Sequence, residues 1–109
     1  MNRLKRHCHT LQILQKAPAS VRKNIIEKGS SELIRCVCDC ALNILSGRVS
    51  LSKHHKHKLK KHKAVLRQLV DKKISLEKKR KITQKGGFLP ALIGALAPVL
   101  GGIISSFTK

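Results

Sequence analysis

The chain has 109 residues, of which 24 are lysine or arginine and only 5 are aspartate or glutamate, so its formal net charge is +19 at pH 7. This length allows one small domain, and so much positive charge repels itself unless anions surround it. The sequence has no tryptophan or tyrosine, and its two phenylalanines lie near the C-terminus. The composition therefore indicates a polyanionic partner and argues against single-strand readers that stack bases on aromatic side chains.

The N-terminal segment and the cysteines bear on the cellular compartment. Residues 1–17 lack the apolar block of a secretory signal peptide. The four cysteines, at positions 8, 36, 38 and 40, come with no other sign of an extracellular disulfide framework. We therefore expect reduced thiols in a cytosolic, nuclear or particle-bound protein.

The apolar pattern predicts an all-α protein, because no alternation of strand length is present. A first helix is predicted over residues 2–16, where four apolar residues follow the spacing of one helix face: Leu4, Cys8, Leu11 and Leu14. Pro18 suits the first turn of a second short helix, and Gly29 is placed to end it. We expect a small helical N-terminal domain over 1–47, long basic helices over 48–85, and a separate apolar C-terminal helix within 86–109.

A third helix is predicted from an N-cap at Ser30 or Ser31 to Gly47. It has the broadest apolar face of the chain and is expected to form the centre of the core. This face consists of Leu33, Ile34, Val37, Cys38, Ala41, Leu42, Ile44 and Leu45.

A short internal repeat predicts two further helices. Each copy places an aliphatic residue, a serine and a leucine before a basic run: Val49-Ser50-Leu51-Ser52-Lys53 and Ile74-Ser75-Leu76-Glu77-Lys78. We interpret each copy as a helix start with serine as the N-cap and the preceding aliphatic residue on the core. The fourth helix is then expected over residues 51–72 and the fifth over 76–84.

The clusters of cysteine and histidine do not favour a metal site. On a helix, Cys36 and Cys40 share a face while Cys38 points elsewhere, so the three sulfurs cannot converge on one ion, and we expect them to pack in the core. Lysines interleave the histidines and would repel a cation; these histidines are His54, His55, His57 and His62. The five acids form no pair spaced for general acid and base work. We therefore expect no metal, no cofactor and no enzymatic activity.

Residues 48–85 hold 15 basic residues against two acids, a net charge of +13. Most are lysines, whose compact ammonium groups suit phosphates and do not read base edges. A merely solvated surface is the alternative, but the charge far exceeds what solubility requires. We predict contacts with the phosphates of double-stranded DNA by Lys53, Lys56, Lys58, Lys60, Lys61, Lys63, Arg67, Lys72, Lys73, Lys78, Lys79, Arg80 and Lys81.

From Phe88 to Thr108 the chain has no ionisable side chain, so this segment must leave water in a protein groove, an assembly or a bilayer. Because Pro98 and Gly101-Gly102 do not suit one straight helix, we predict two short apolar segments with a kink. The expected anchor residues are Leu89, Leu92, Ile93, Leu96, Val99, Leu100, Ile103 and Ile104. Docking on another protein or on copies of itself is the first expectation, and membrane contact is the alternative.

The junction Lys85-Gly86-Gly87-Phe88-Leu89-Pro90, between a basic run and an apolar segment rich in small residues, resembles the C-terminal half of the adenovirus core protein mu precursor. Related proteins occur in polinton and adintovirus elements. The resemblance covers roughly Lys78 to Phe107, and upstream of it only the basic composition agrees. It implies that the basic part condenses double-stranded DNA inside a capsid.

The same resemblance implies that a maturation protease cuts the Gly86-Gly87-Phe88 segment between Gly87 and Phe88. In the family an aliphatic residue lies two positions before the glycine pair, and here Gln84 occupies that position. The family's basic part is rich in arginine, whereas this one is rich in lysine and follows a helical region, a pattern closer to the polinton-type relatives.

Together these features predict a non-enzymatic virion core or minor structural protein that binds and condenses double-stranded DNA. The expected partners are DNA, a viral maturation protease, capsid proteins and further copies of the chain, and the expected locations are the virion and the host nucleus. The main alternative is a cationic membrane-active protein that binds anionic lipid. A third reading is a host chromatin or RNA-binding protein whose apolar segment is a dimerisation helix.

Overall fold

Helices make up the fold in the computed structural model, which describes residues 2–85 and 87–107. In chain order they are α1 (Asn2–Lys16), α2 (Ala19–Lys28), α3 (Ser31–Leu45), α4 (Lys53–Lys60), α5 (Lys63–Val70), α6 (Leu76–Gln84), α7 (Leu89–Ala95) and α8 (Ala97–Phe107). No strand occurs among the described residues, and the prediction of an all-α protein is confirmed. The Cα radius of gyration, 13.0 Å, is that of one folded domain of this length.

The first three helices begin and end close to their predicted bounds because the predicted end signals are used. The hydroxyl of Ser30 accepts a hydrogen bond from the backbone N–H of Leu33 at 3.1 Å and caps α3. Gly47 follows α3 with a φ of +75°, a conformation that favours glycine. Gly29 ends α2 for a different reason: a Cβ there would lie 2.7 Å from Leu33 Cδ2, so glycine permits the close approach to α3.

The centre of the core is α3, which packs against α1, α5 and α6. Its buried residues include Cys36 and Cys40, which the predicted apolar face did not contain. Leu42, which it did contain, is 46% exposed. At 100° per residue, Leu42 points away from the side that Val37 and Ile44 share. The prediction that Leu42 is a core residue was therefore wrong, and the two cysteines complete the buried face.

The predicted fourth helix is divided into α4 and α5 by a turn at Lys61 and His62. α4 packs on α7, whereas α5 packs on α3 and α6, and one straight helix would not serve both sets of neighbours. The N-cap of α4 is Ser52, whose hydroxyl accepts a hydrogen bond from His55 N, so the helix begins after the predicted Ser50 cap. Ser75 caps α6 as predicted, through Lys78 N.

The apolar segment after residue 86 is part of the fold, and the prediction of a separate C-terminal helix was wrong. α7 packs on α1, α3 and α4, and α8 also contacts α1. At most 4% of each of the following side chains is exposed: Phe88, Leu89, Leu92, Ile93, Ala95, Leu96 and Leu100. Together with α3, they cover the apolar face of α1.

The predicted kink in this segment is confirmed, since α7 ends at Ala95 and α8 begins at Ala97. Val99 is half-buried, and the side chains of Ile103 and Ile104 lie outside the described residues. Buried residues from all three predicted segments, 1–47, 48–85 and 86–109, belong to one cluster. Within the described part of the chain, no helix has the length and hydropathy required to cross a membrane.

Candidate nucleic-acid interface

The basic side chains lie on the outer faces of α4, α5 and α6 and in the loop between α5 and α6. The opposite faces of α4 and α5 pack into the core through three buried side chains, Leu59, Leu66 and Leu69. Because an amphipathic helix presents its remaining positions to solvent, the lysines around these leucines face water. Eleven of the thirteen predicted contact residues are exposed: Lys53, Lys56, Lys58, Lys60, Lys61, Lys63, Arg67, Lys72, Lys73, Lys78 and Lys81.

Arg80 has a different role from the one predicted. Its Nη1 donates hydrogen bonds to two backbone carbonyl oxygens at the end of α2, Ile26 O at 2.8 Å and Gly29 O at 2.6 Å. These oxygens have no partner within their own helix, and the guanidinium joins α6 to α2. Arg80 is therefore excluded from the candidate interface. Lys79 is half-buried beside Cys38. It therefore presents less of its side chain to an external phosphate than the exposed lysines do.

Replacing Arg80 with glutamine is expected to lower the free energy of unfolding by about 2 kcal/mol, because hydrogen bonds from a charged donor are lost and two carbonyl oxygens lose their partner. In a domain of this size that corresponds to roughly 10 °C in Tm by thermal circular dichroism. Lys81→Gln is the matched control, since it removes the same charge from an exposed position of α6 and should change stability by less than about 0.5 kcal/mol. Equal melting of both variants would return Arg80 to the candidate interface.

The acidic side chains leave the basic surface unneutralised. Asp39 pairs with Arg3 at 3.0 Å, and Glu32 pairs with Arg6 and lies 3.9 Å from His7 Nε2. Among residues 2–85 and 87–107, none of the thirteen predicted contact residues takes part in an ion pair. Asp71 accepts a hydrogen bond from the backbone N–H of Lys73 at 2.9 Å. The ammonium groups of the interface therefore remain available to an external anion.

Two exposed basic residues at the limits of the same charge run were left out of the predicted set, Arg48 and Lys85. Lys85 lies near the rings of His62 and Phe88, which line a cavity with it. The sequence contained the signal for both residues, because they belong to the same 48–85 segment. Their exposure extends the candidate interface to both limits of that segment.

The cysteines pack in the core as predicted, with Cys38 only half-buried. A hydrogen bond from Cys40 lowers the pKa of the Cys36 thiol. The same hydrogen bond, followed by burial, raises the pKa of Cys40 well above its ordinary value. Burial raises the pKa of Cys38 as well. Among the residues that the structure describes, no group of three or more potential ligands from His, Cys, Asp and Glu is placed to hold a metal ion.

The predicted cleavage junction joins an exposed glycine to a buried phenylalanine. Gly87 is exposed, and a Cβ built there would have no atom within 4 Å. Phe88 is only 4% exposed, and its ring centroid lies 6.4 Å from that of His62. Gly86 lies outside the described residues. A protease that binds this junction as an extended chain must first withdraw Phe88 from the core.

Comparison with protein-family models, curated protein sequences and solved structures finds no match for this chain. The resemblance to the mu precursor family therefore depends only on the pattern from Lys78 to Phe107, with the residues around the glycine pair its most specific part, and it stays a hypothesis.

Proposed function

We propose that this chain is a non-enzymatic protein that binds and condenses double-stranded DNA through phosphate contacts, without sequence preference. The observation that supports the proposal is the exposure of eleven lysine and arginine side chains on one continuous segment, with no ion pair to neutralise them among the described residues. Ammonium groups held in this way attract a polyanion and release its counterions.

The size and charge of the molecule suit condensation. Its longest extent is 38 Å, which matches a duplex of about 11 base pairs carrying about 22 phosphate charges. The net charge of the protein is +19. One copy along each such length would therefore leave the duplex almost neutral, and neutralised duplexes no longer repel one another. If the charge served only to keep the protein soluble, a net charge of about 2 to 8 would be enough.

The biological setting proposed here is the virion, with delivery to the host nucleus, as a core or minor structural protein. The resemblance at the glycine pair supports this setting, and it adds a viral maturation protease and capsid proteins as partners. Contacts with capsid proteins or with further copies would use exposed apolar side chains, and not the buried residues of α7. Among the side chains that the structure describes, the large exposed apolar ones are Ile13, Val21 and Leu42.

The test is the salt dependence of binding to duplexes of unrelated sequence. With 6 to 10 phosphates engaged, the slope of log K against log salt is expected to be about −5 to −9, equal for all sequences. Replacing Lys58, Lys60, Lys61 and Lys63 with glutamine should make that slope shallower by about 3 to 4.

A matched control removes the same charge from α1 and α2, outside the 48–85 segment, with glutamine at Lys5, Lys16, Lys23 and Lys28, all exposed. This control should change the slope by less than about 1. Equal effects of the two variants, a shallow slope for the unchanged protein, or preference for one sequence would contradict the proposal. Tighter binding to anionic vesicles than to DNA at the same salt would favour the membrane-active alternative.

A further inference from the structure

A groove lies beside the basic surface, where α3, α4, α5 and the segment before α4 meet. Its floor is aliphatic, formed by Ile44, Leu45, Leu51, Leu59 and Leu66. Its remaining lining residues are three lysines, Lys56, Lys60 and Lys63, and no acidic residue of the described ranges, 2–85 and 87–107, lines it. The volume, about 330 Å³, lies at the lower end of small-molecule sites, which hold roughly 300 to 1,000 Å³.

The three lysines form the rim of this groove. Lys56 and Lys60 lie one turn or less from Leu59 on α4, and Lys63 begins α5 after the turn. All three are exposed, whereas Leu59 and Leu66 are 4% and 1% exposed. Lysine stems of this kind cover apolar surface and keep the ammonium group in water. The groove therefore combines an apolar interior with a positively charged opening.

This combination fits an anion attached to an aliphatic chain better than a phosphate of DNA, which has no apolar part to place on the floor. A methylene group occupies about the same volume as a water molecule, roughly 30 Å³, so the groove has room for a chain of about ten carbons. One 5.4 Å turn of a helix about 10 Å across fills roughly 420 Å³, which is more than the volume of this groove.

We propose that this groove binds one single-chain aliphatic carboxylate, a fatty acid of about ten carbons. Its chain lies on Leu51, Leu59 and Leu66, and its carboxylate accepts hydrogen bonds from the lysines of the rim. The ligand would neutralise part of the surface assigned to DNA, so it should weaken DNA binding at a fixed salt concentration. That second effect depends on the proposed function, whereas binding of the fatty acid does not.

The experiment titrates the full chain with sodium decanoate, kept below the concentration at which it forms micelles, and follows leucine methyl groups by NMR. Saturable shifts at Leu51, Leu59 and Leu66 with one decanoate per chain are expected. Glutamine at Lys60 and Lys63 should weaken affinity about three- to fivefold, because exposed ion pairs are individually weak. Glutamine at Lys72 and Lys73, which are exposed and do not line the groove, should change it by less than twofold.

Two further ligands separate the alternatives. Decan-1-ol has the chain without the charge and should bind more weakly, and vesicles of phosphatidylglycerol should not compete with decanoate for these methyl groups. Absence of methyl shifts, uptake of several decanoates without saturation, or equal weakening by the two double variants would overturn the proposed site. If decanoate binds as expected but leaves DNA affinity unchanged, the site stands and the shared use of its lysines is wrong.

Discussion

Leu92→Asp is expected to leave the chain largely unfolded at 25 °C. Leu42→Asp is expected to have nearly the same free energy of unfolding as the unchanged protein. Leu92 is fully buried in α7, where a carboxylate would have no partner, and this costs several kcal/mol of the roughly 5 to 15 that stabilise a domain. Leu42 is 46% exposed, so a carboxylate there stays hydrated. Urea unfolding, followed by circular dichroism, measures both free energies.

Leu92→Met is the control for this pair, because it keeps the volume and apolar character of the side chain and should cost less than about 1.5 kcal/mol. If Leu92→Asp keeps the helix content and unfolding midpoint of the unchanged protein, then α7 contributes little to stability and the segment after residue 86 is the detachable tail that the sequence indicated.

Cleavage between Gly87 and Phe88 by the proposed viral protease is expected to be limited by opening of α7. Because Phe88 must leave the core, the rate should follow the population of the open form. Leu92→Ala removes buried contacts worth at least about 2 kcal/mol, so it should raise the cleavage rate at least about 30-fold. Mass spectrometry of a digestion time course measures the fragment that ends at Gly87.

Gly87→Val completes this experiment and should block cleavage, because the protease loses its substrate glycine. The fold should be retained, since a Cβ at that position meets no atom within 4 Å. Leu42→Ala makes the same substitution at an exposed position outside α7, so it serves as the control and should leave the rate nearly unchanged. Cutting of the unchanged protein as fast as of Leu92→Ala would show that opening is not limiting. Mature particles that contain only the intact chain would show that the junction is not cut at all.

Local signals predicted the bounds of α1, α2, α3 and α6, and tertiary packing decided the rest. The serine caps and the glycine after α3 are read directly from neighbouring residues, so α3 and α6 appear near their predicted positions. The turn at Lys61 and His62 contains no glycine or proline. It follows from the different neighbours of α4 and α5, which no local pattern shows. The burial of α7 likewise depends on a partner far away in the chain.

The sequence was sufficient to predict the positive charge of the candidate interface, but not the separate role of Arg80 or the groove beside it. A run of lysines between few apolar positions leaves those lysines exposed in almost any helical arrangement, and this holds for Lys53 through Lys63. Arg80 looks like its neighbours in sequence, but the carbonyl oxygens that it binds belong to α2. The groove bordered by Lys56 and Lys60 also arises only when α3, α4 and α5 are brought together.

The contact between α1 and α7 joins residues that are far apart in the sequence, which is unusual for a small helical protein. Helical proteins usually fold fast because most of their contacts are local. Here the apolar face of α1, from Leu4 to Leu14, is shared between α3 and α7, and α7 begins only at Leu89. Until α7 packs on it, the part of this apolar face that α3 does not cover is exposed to solvent. We therefore expect slow folding for its size, and a period in which aggregation competes with it.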